Sequence, residues 1–212
     1  MISATRSSIA APQPSGTVDL YWIPLGAGGH VVRACGALFE ALSAVRHRRT
    51  RCALYHSALV IHAPEGQVVI EQAPVPDRCP ARRGVVAEGP VGVRWAGRFR
   101  VFRYEVRRWP GGSIPDIAEA VASPVRISAD LSIARQVLEV LPSIPTPVWG
   151  RDEFGTGEMW NSNSVIAWTL VRGGADVDAI RFPEGGRAPG WDAGLAVARA
   201  GGGAKFGPQH RD

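Results

Sequence analysis

Nowhere do the 212 residues of this chain run to the roughly 18 consecutive apolar positions that a membrane-spanning helix needs, so no membrane span is expected. Cysteine is scarce: Cys35, Cys52 and Cys79 form no CxxC pair and are odd in number, which argues against a disulfide framework and a zinc knuckle alike. His56 and His62 have no third or fourth ligand at useful spacing, so neither a metal nor a cofactor is expected. The first 17 residues carry Arg6 but lack a continuous apolar segment. They therefore read as a flexible tail rather than a signal peptide, and the cytoplasm is the expected address.

What is present belongs to a globular chain. Hydrophobic residues make up 45% and charged ones 20%, enough apolar content for a real core and too little charge for disorder. The length fits a single domain over 18–200, between flexible tails at 1–17 and 201–212. Net charge is +5 with a pI near 9.7, mostly from arginine. The one dense basic run, Arg46-His47-Arg48-Arg49-Thr50-Arg51, could touch phosphates. No recognition motif accompanies it, so a nucleic-acid partner is not expected; a solvated segment after a helix explains the charge as well.

Hydrophobic periodicity divides the chain into a strand-rich first part and a helical second part. Val18 to Leu25, Tyr55 to His62, Val68 to Gln72, Val85 to Ala87, Val91 to Trp95 and Arg100 to Trp109 read as strands. Pro64-Glu65-Gly66 closes a hairpin between the second and third. His30 to Val45 is ambiguous between a helix and a strand followed by a helix. Ile117 to Val121 reads as a turn or two of helix, and Asp130 to Leu141 as a full one capped by Ser128 or Asp130 and stopped by Pro142. Ser164 to Arg172 is a short helix ending on Gly173-Gly174. The glycine-rich stretch beyond Pro183 reads as a surface loop. A meander followed by helices predicts an α+β fold with an antiparallel sheet packed on helices.

Two features carry candidate chemistry. Trp160-Asn161-Ser162-Asn163-Ser164 precedes an apolar run, which places a hydroxyl at a helix start. There the exposed N–H groups can cap onto Ser or Asn, or can hold an oxyanion. The strand at Tyr55 opens with His56, followed on its own face by the small Ala58 and by Val60 and His62. Ser162 as nucleophile, His56 as base and Glu71 as the acceptor orienting the imidazole would form a triad. Asn161 and Asn163 would assist at the oxyanion. Glu71 and Gln72 occupy opposite faces, so only one can turn toward His56. Glu105 stands between Arg103 and Arg107 on one face, reads as part of a solvated charge stripe, and ranks below Glu71. A cysteine at position 162 would then be an activated thiolate responsive to His56.

Asn161-Ser162-Asn163 resembles the Asn-Cys-Asn word that starts the catalytic helix of circularly permuted papain-like proteins. These include permuted NlpC-type peptidases, lecithin:retinol acyltransferase-like enzymes and deubiquitinase-like isopeptidases, and here serine stands in the cysteine's place. The segment is more closely similar to an uncharacterised bacterial family with a Pro-Asn-Ser-Asn-Thr-Phe signature, an upstream His strand and an Arg-Tyr-Glu-Val strand like Arg103-Tyr104-Glu105-Val106. Met159-Trp160 replaces that family's Gly-Pro, and Ser164-Val165 its Thr-Phe. The resemblance implies a permuted papain-like fold and keeps Glu105 in play as third member. It implies a serine-dependent hydrolase or acyltransferase acting on an amide or ester of a small-molecule, peptide or lipid-like substrate. The alternative it leaves is a catalytically inactive binding module of the same fold, with a basic nucleic-acid-associated protein as a third reading.

Overall fold

A computed structural model of the chain describes residues 15–25, 48, 50–75, 84–114 and 116–201. The ambiguous stretch His30 to Val45, with Cys35, lies outside these residues, as do Cys79 and half of the Arg46 to Arg51 run. Six strands form the body of the sheet: β1 (Thr17–Pro24), β2 (Ala53–Ala63), β3 (Gly66–Pro74), β4 (Val85–Pro90), β5 (Arg103–Pro110) and β6 (Val121–Ser128). Their order is β4-β5-β3-β2-β1-β6, all neighbours antiparallel, and a two-residue strand β7 (Gly186–Arg187) pairs parallel to the start of β2. Three α-helices among the described residues complete the fold: α1 (Leu131–Val140), α2 (Ser162–Arg172) and α3 (Trp191–Ala200). The expected α+β class, an antiparallel sheet packed on helices, is what the chain adopts.

Side-chain alternation gives the sheet two unlike faces. Val18, Leu20 and Trp22 of β1, Tyr55, Leu59 and Ile61 of β2, Ile70 of β3, and Tyr104 and Val106 of β5 pack against Ala134, Val137, Val165, Ile166, Leu170 and Trp191 of the helices. The other face carries a smaller cluster of Ile23, Ala58, Val60, Val69 and Ile114, with Tyr21 and Trp109 against it. Volume decides which side the helices take: the larger apolar side chains of β1 and β2 are on the first face, and covering them removes the greater area from water.

Several local readings change. Val91 to Trp95 is not a strand. After a single bridge at Val91 the chain turns through 3-10 helices Arg94–Arg98 and Arg100–Phe102, so β5 begins only at Arg103. Gly92 lies at φ +74, off the strand path, and a Cβ on Gly97 would come within 2.8 Å of Pro90. The helical turn at Ile117 stops at Glu119, and Val121–Ser128 is a strand instead. It carries Pro124, which an edge strand tolerates because one side of it has no ladder to fill. The loop expected beyond Pro183 contains β7 and leads into α3. Asp130, rather than Ser128, caps α1, accepting a bond from the Ser132 amide at 2.7 Å.

Helix α3 crosses α2 at Gly194, where a Cβ would lie 2.3 Å from the Ser164 carbonyl oxygen. It is tied to β1 through aromatic packing: Trp22 meets Trp191 at 5.1 Å and Phe182 at 5.3 Å between ring centroids. Such pairs contribute about 0.5–1.5 kcal/mol each beyond their buried area.

Candidate functional site

The helix start at Asn161 is a clasp that joins three parts of the fold. Asn161 is the N-cap of α2 and its side chain accepts from the amides of Asn163 (2.9 Å) and Ser164 (3.4 Å). The Ser164 hydroxyl accepts from the Asn161 amide at 3.1 Å, closing a capping box, and donates to the Gly190 carbonyl at 2.7 Å. Asn163 is wholly committed. Its Nδ2 donates to the carbonyls of Tyr55 and Pro189, both at 2.9 Å, and its Oδ1 accepts from the Ser57 hydroxyl at 2.8 Å. Asn161 Nδ2 also donates to the Pro189 carbonyl, at 2.8 Å. The clasp thus holds α2, β2 and the turn before α3 together. That turn needs its glycine: Gly190 has φ +85, and a Cβ there would meet Asn161 Oδ1 at 2.6 Å.

Glu158 completes the clasp from outside. Its carboxylate accepts from the Gly190 amide at 2.8 Å and stands 3.7 Å from Arg187, at the N-terminus of α3. Burial pushes its pKa above the ordinary carboxylate value, with Asp192 adding to the rise; the Gly190 amide and Arg187 act against it.

Ser162 is the first residue inside α2 and the one member of the word left out of this network. It is buried and makes no side-chain hydrogen bond among the described residues. Two of the amides expected to bind an oxyanion, those of Asn163 and Ser164, are taken by the Asn161 cap. Neither asparagine presents a free face: the Asn163 amide has no donor left, and the Asn161 amide is turned to Pro189.

The structure does not bring His56 to Ser162. Ser57, paired with Trp22, points to the helices and reaches Asn163; His56, paired with Ile23, points to the opposite face. The sheet itself separates them. The expected sharing of a face by His56, Ala58 and Val60 is what is seen, but the helix start comes to the other face, where the larger side chains are. His62 lies at the exposed end of that face, 3.8 Å from Asp19, and Arg126 of β6 pairs with the same carboxylate.

Glu71 is on the same face as His56 but is engaged elsewhere. Arg107 donates from Nη1 to Glu71 at 2.6 Å and from Nε to Glu105 at 2.5 Å. All three are buried, so Glu105 and Arg107 are not the solvated stripe their spacing implied. Gln72 lies on the helix side of β3, and neither the nitrogen nor the oxygen of its buried amide has a hydrogen-bond partner among the described residues.

Burial holds the His56 pKa below its ordinary value of 6.5, and the charge of Asp116, raising it, only partly offsets this. The neutral imidazole therefore suits the fold. Its contribution is complete above pH 6.5 and is lost as pH falls from there through the lower folded pKa, because the unfolded chain binds the proton more readily. Each unit of depression is worth about 1.4 kcal/mol. His56→Gln should flatten the fall in melting temperature between pH 7 and pH 5; an unchanged slope would show that His56 does not set it.

Signals for parts of this arrangement were in the sequence. Four consecutive polar residues before an apolar helix exceed what a single cap requires, and a network is the reason. The partners Ser57, Tyr55 and Pro189 had no signal, because they act through backbone carbonyls or one ordinary hydroxyl. Among the described residues no group of three or more His, Cys, Asp or Glu is placed to hold a metal ion, and no helix is long and apolar enough to cross a membrane. Comparison with protein-family models, with curated proteins and with solved structures returned no match.

Proposed function

We propose that this chain is a binding module of permuted papain-like build in which Ser162 is inert and its polar neighbours have become structural, rather than a serine-dependent hydrolase or acyltransferase. The observation that carries the reading is the placement of Ser162 and His56 on opposite faces of one sheet. A serine hydroxyl has no accessible anionic form near neutral pH, so acyl transfer needs a base within hydrogen-bond reach. The β2 side chain shown to reach α2 is that of Ser57, which cannot serve as that base and is already bonded to Asn163. The helix-start amides that would hold an oxyanion are occupied by the cap. With the polar word spent on holding α2, β2 and the α3 turn together, recognition falls to the surface of the fold. Among the described residues, the 94–102 excursion between β4 and β5 is such a surface feature, with four large apolar side chains exposed among arginines.

The test is covalent labelling. A fluorophosphonate serine probe should leave Ser162 unmodified. Ser162→Cys should react with iodoacetamide at a rate that is the same with His56 intact or replaced by alanine. Labelling at Ser162, or a thiol that slows when His56 is removed, would restore the acyl-enzyme reading.

A further inference from the structure

The excursion at 94–102 has the composition of a surface made to meet something both apolar and negatively charged. Trp95 is 63% exposed, Phe99 50%, Val101 67% and Phe102 47%, half of the large hydrophobic side chains exposed among the described residues. They are interleaved with Arg94, Arg98 and Arg100, and from Gly89 to Tyr104 the chain has four arginines and no acidic residue. Isolated exposed apolar residues need no explanation, but a cluster of this kind marks an interaction site.

The surface is held in shape before any partner arrives. Val91 donates to the Phe102 carbonyl at 2.8 Å, Gly92 to Trp149 at 3.0 Å, and Arg151 to Gly92 at 2.7 Å. Arg98 donates to the Trp95 carbonyl at 3.0 Å, and its guanidinium lies 5.4 Å from the Trp95 ring centroid and 5.6 Å from that of Phe99. Glu153 pairs with Arg94 and Glu88 with Arg103, whereas Arg98 meets no carboxylate among the described residues.

We propose that this excursion docks the protein peripherally onto an anionic phospholipid bilayer. The proposal rests on the binding-module reading and names its partner. Tryptophan and phenylalanine side chains among arginines match the headgroup boundary, where apolar parts enter the acyl region and guanidinium groups meet lipid phosphates. A single-stranded nucleic acid fits less well: Arg98 already lies over the rings on which bases would stack, and Val101, the most exposed of the four, offers no ring. A second copy of the chain fits less well too, since a two-fold contact would set these arginines against themselves.

The experiment is co-sedimentation of the full chain with vesicles of phosphatidylcholine containing phosphatidylglycerol, and with vesicles of phosphatidylcholine alone. Retention is expected on the first, weakened by salt, and not on the second. Trp95→Ser and Val101→Ser should each reduce partitioning on the order of tenfold, and Arg98→Gln roughly fivefold. Ile117→Ser removes an exposed apolar side chain outside the excursion and should change nothing. Unaltered melting curves for all four variants confirm that they fold. No retention on the anionic vesicles, or retention indifferent to the excursion variants, would overturn the proposal, as would retention of an oligothymidylate in place of vesicles. These results are separable from the labelling test: lost vesicle binding with an inert Ser162 sinks the lipid assignment alone, whereas a labelled Ser162 sinks the module reading.

Discussion

Replacing Arg107 by methionine should destabilise the fold by about 3–5 kcal/mol, a large share of the 5–15 kcal/mol that holds an ordinary domain together. The guanidinium bridges Glu71, directly opposite it on β3, and Glu105, two residues earlier on its own strand. All three are buried, so removing the cation takes from two buried carboxylates the charge that bridges them. A surface stripe, by contrast, would lose no more than about 1 kcal/mol, the upper end for exposed ion pairs. Arg107→Lys should fall between the two outcomes, because one ammonium cannot reproduce the planar fork that reaches both partners. The decisive control is Arg107→Met in a Glu71→Gln, Glu105→Gln background, where most of the loss should disappear. Urea unfolding of the set measures it. A loss below 1 kcal/mol, or one unchanged by neutralising the glutamates, would show that the arginine acts by packing alone.

That cluster shows where periodicity stops being informative. The alternation Arg103, Glu105, Arg107 reads as polar-outward, and it does define one face correctly. What it cannot say is whether that face is wet. In a sheet buried on both sides, an ion-paired triad and a solvated charge row have the same spacing. The β2–β3 hairpin was fully legible for the opposite reason. Its turn at Pro64-Glu65-Gly66 and the apolar alternation on either side agree, and Gly66 adopts φ +126 as such a turn requires.

Helix α3 and strand β6 were not assigned from the sequence, and each carries a residue that propensity disfavours. Gly194 weakens a helix by propensity, yet here it permits close contact with α2, and that packing outweighs the intrinsic cost of about 1 kcal/mol. Pro124 argues against a strand, but only against a central one. For the site, the sequence singled out the polar word and the His56 strand, and the structure joins the two through Asn163, Tyr55 and Ser57 rather than through Ser162 and His56. Tyr55, Ser57, Leu59 and Ile61 alternate with His56, Ala58 and Val60, and both sets are apolar enough to be a core. Which of them meets the helix depends on summed side-chain volume across β1, β2, β3 and β5, a property of the assembled sheet rather than of any one strand.

The sharpest contrast inside the polar word is between neighbours. Asn163→Leu should cost about 3 kcal/mol and Ser162→Ala less than about 1 kcal/mol. The leucine keeps the bulk of asparagine but leaves the Tyr55 carbonyl and the Ser57 hydroxyl without the partners they have at 2.9 and 2.8 Å. Each buried polar group left unpaired costs about 1–3 kcal/mol. The Pro189 carbonyl is spared, since Asn161 also donates to it. Asn163→Asp is the stricter test because its shape is unchanged: it removes both donated bonds and sets a carboxylate against two carbonyl oxygens. Its deficit at neutral pH should be at least that of leucine and should narrow as pH falls toward about 4, because a carboxylate held against carbonyls takes up its proton above the unfolded value and a protonated carboxyl can donate once more. Ser162 has no bond to lose, so its alanine variant forfeits only a little packing. Thermal and urea unfolding of the three variants reads the contrast directly. If Ser162→Ala costs as much as Asn163→Leu, the clasp is not what the polar word is for.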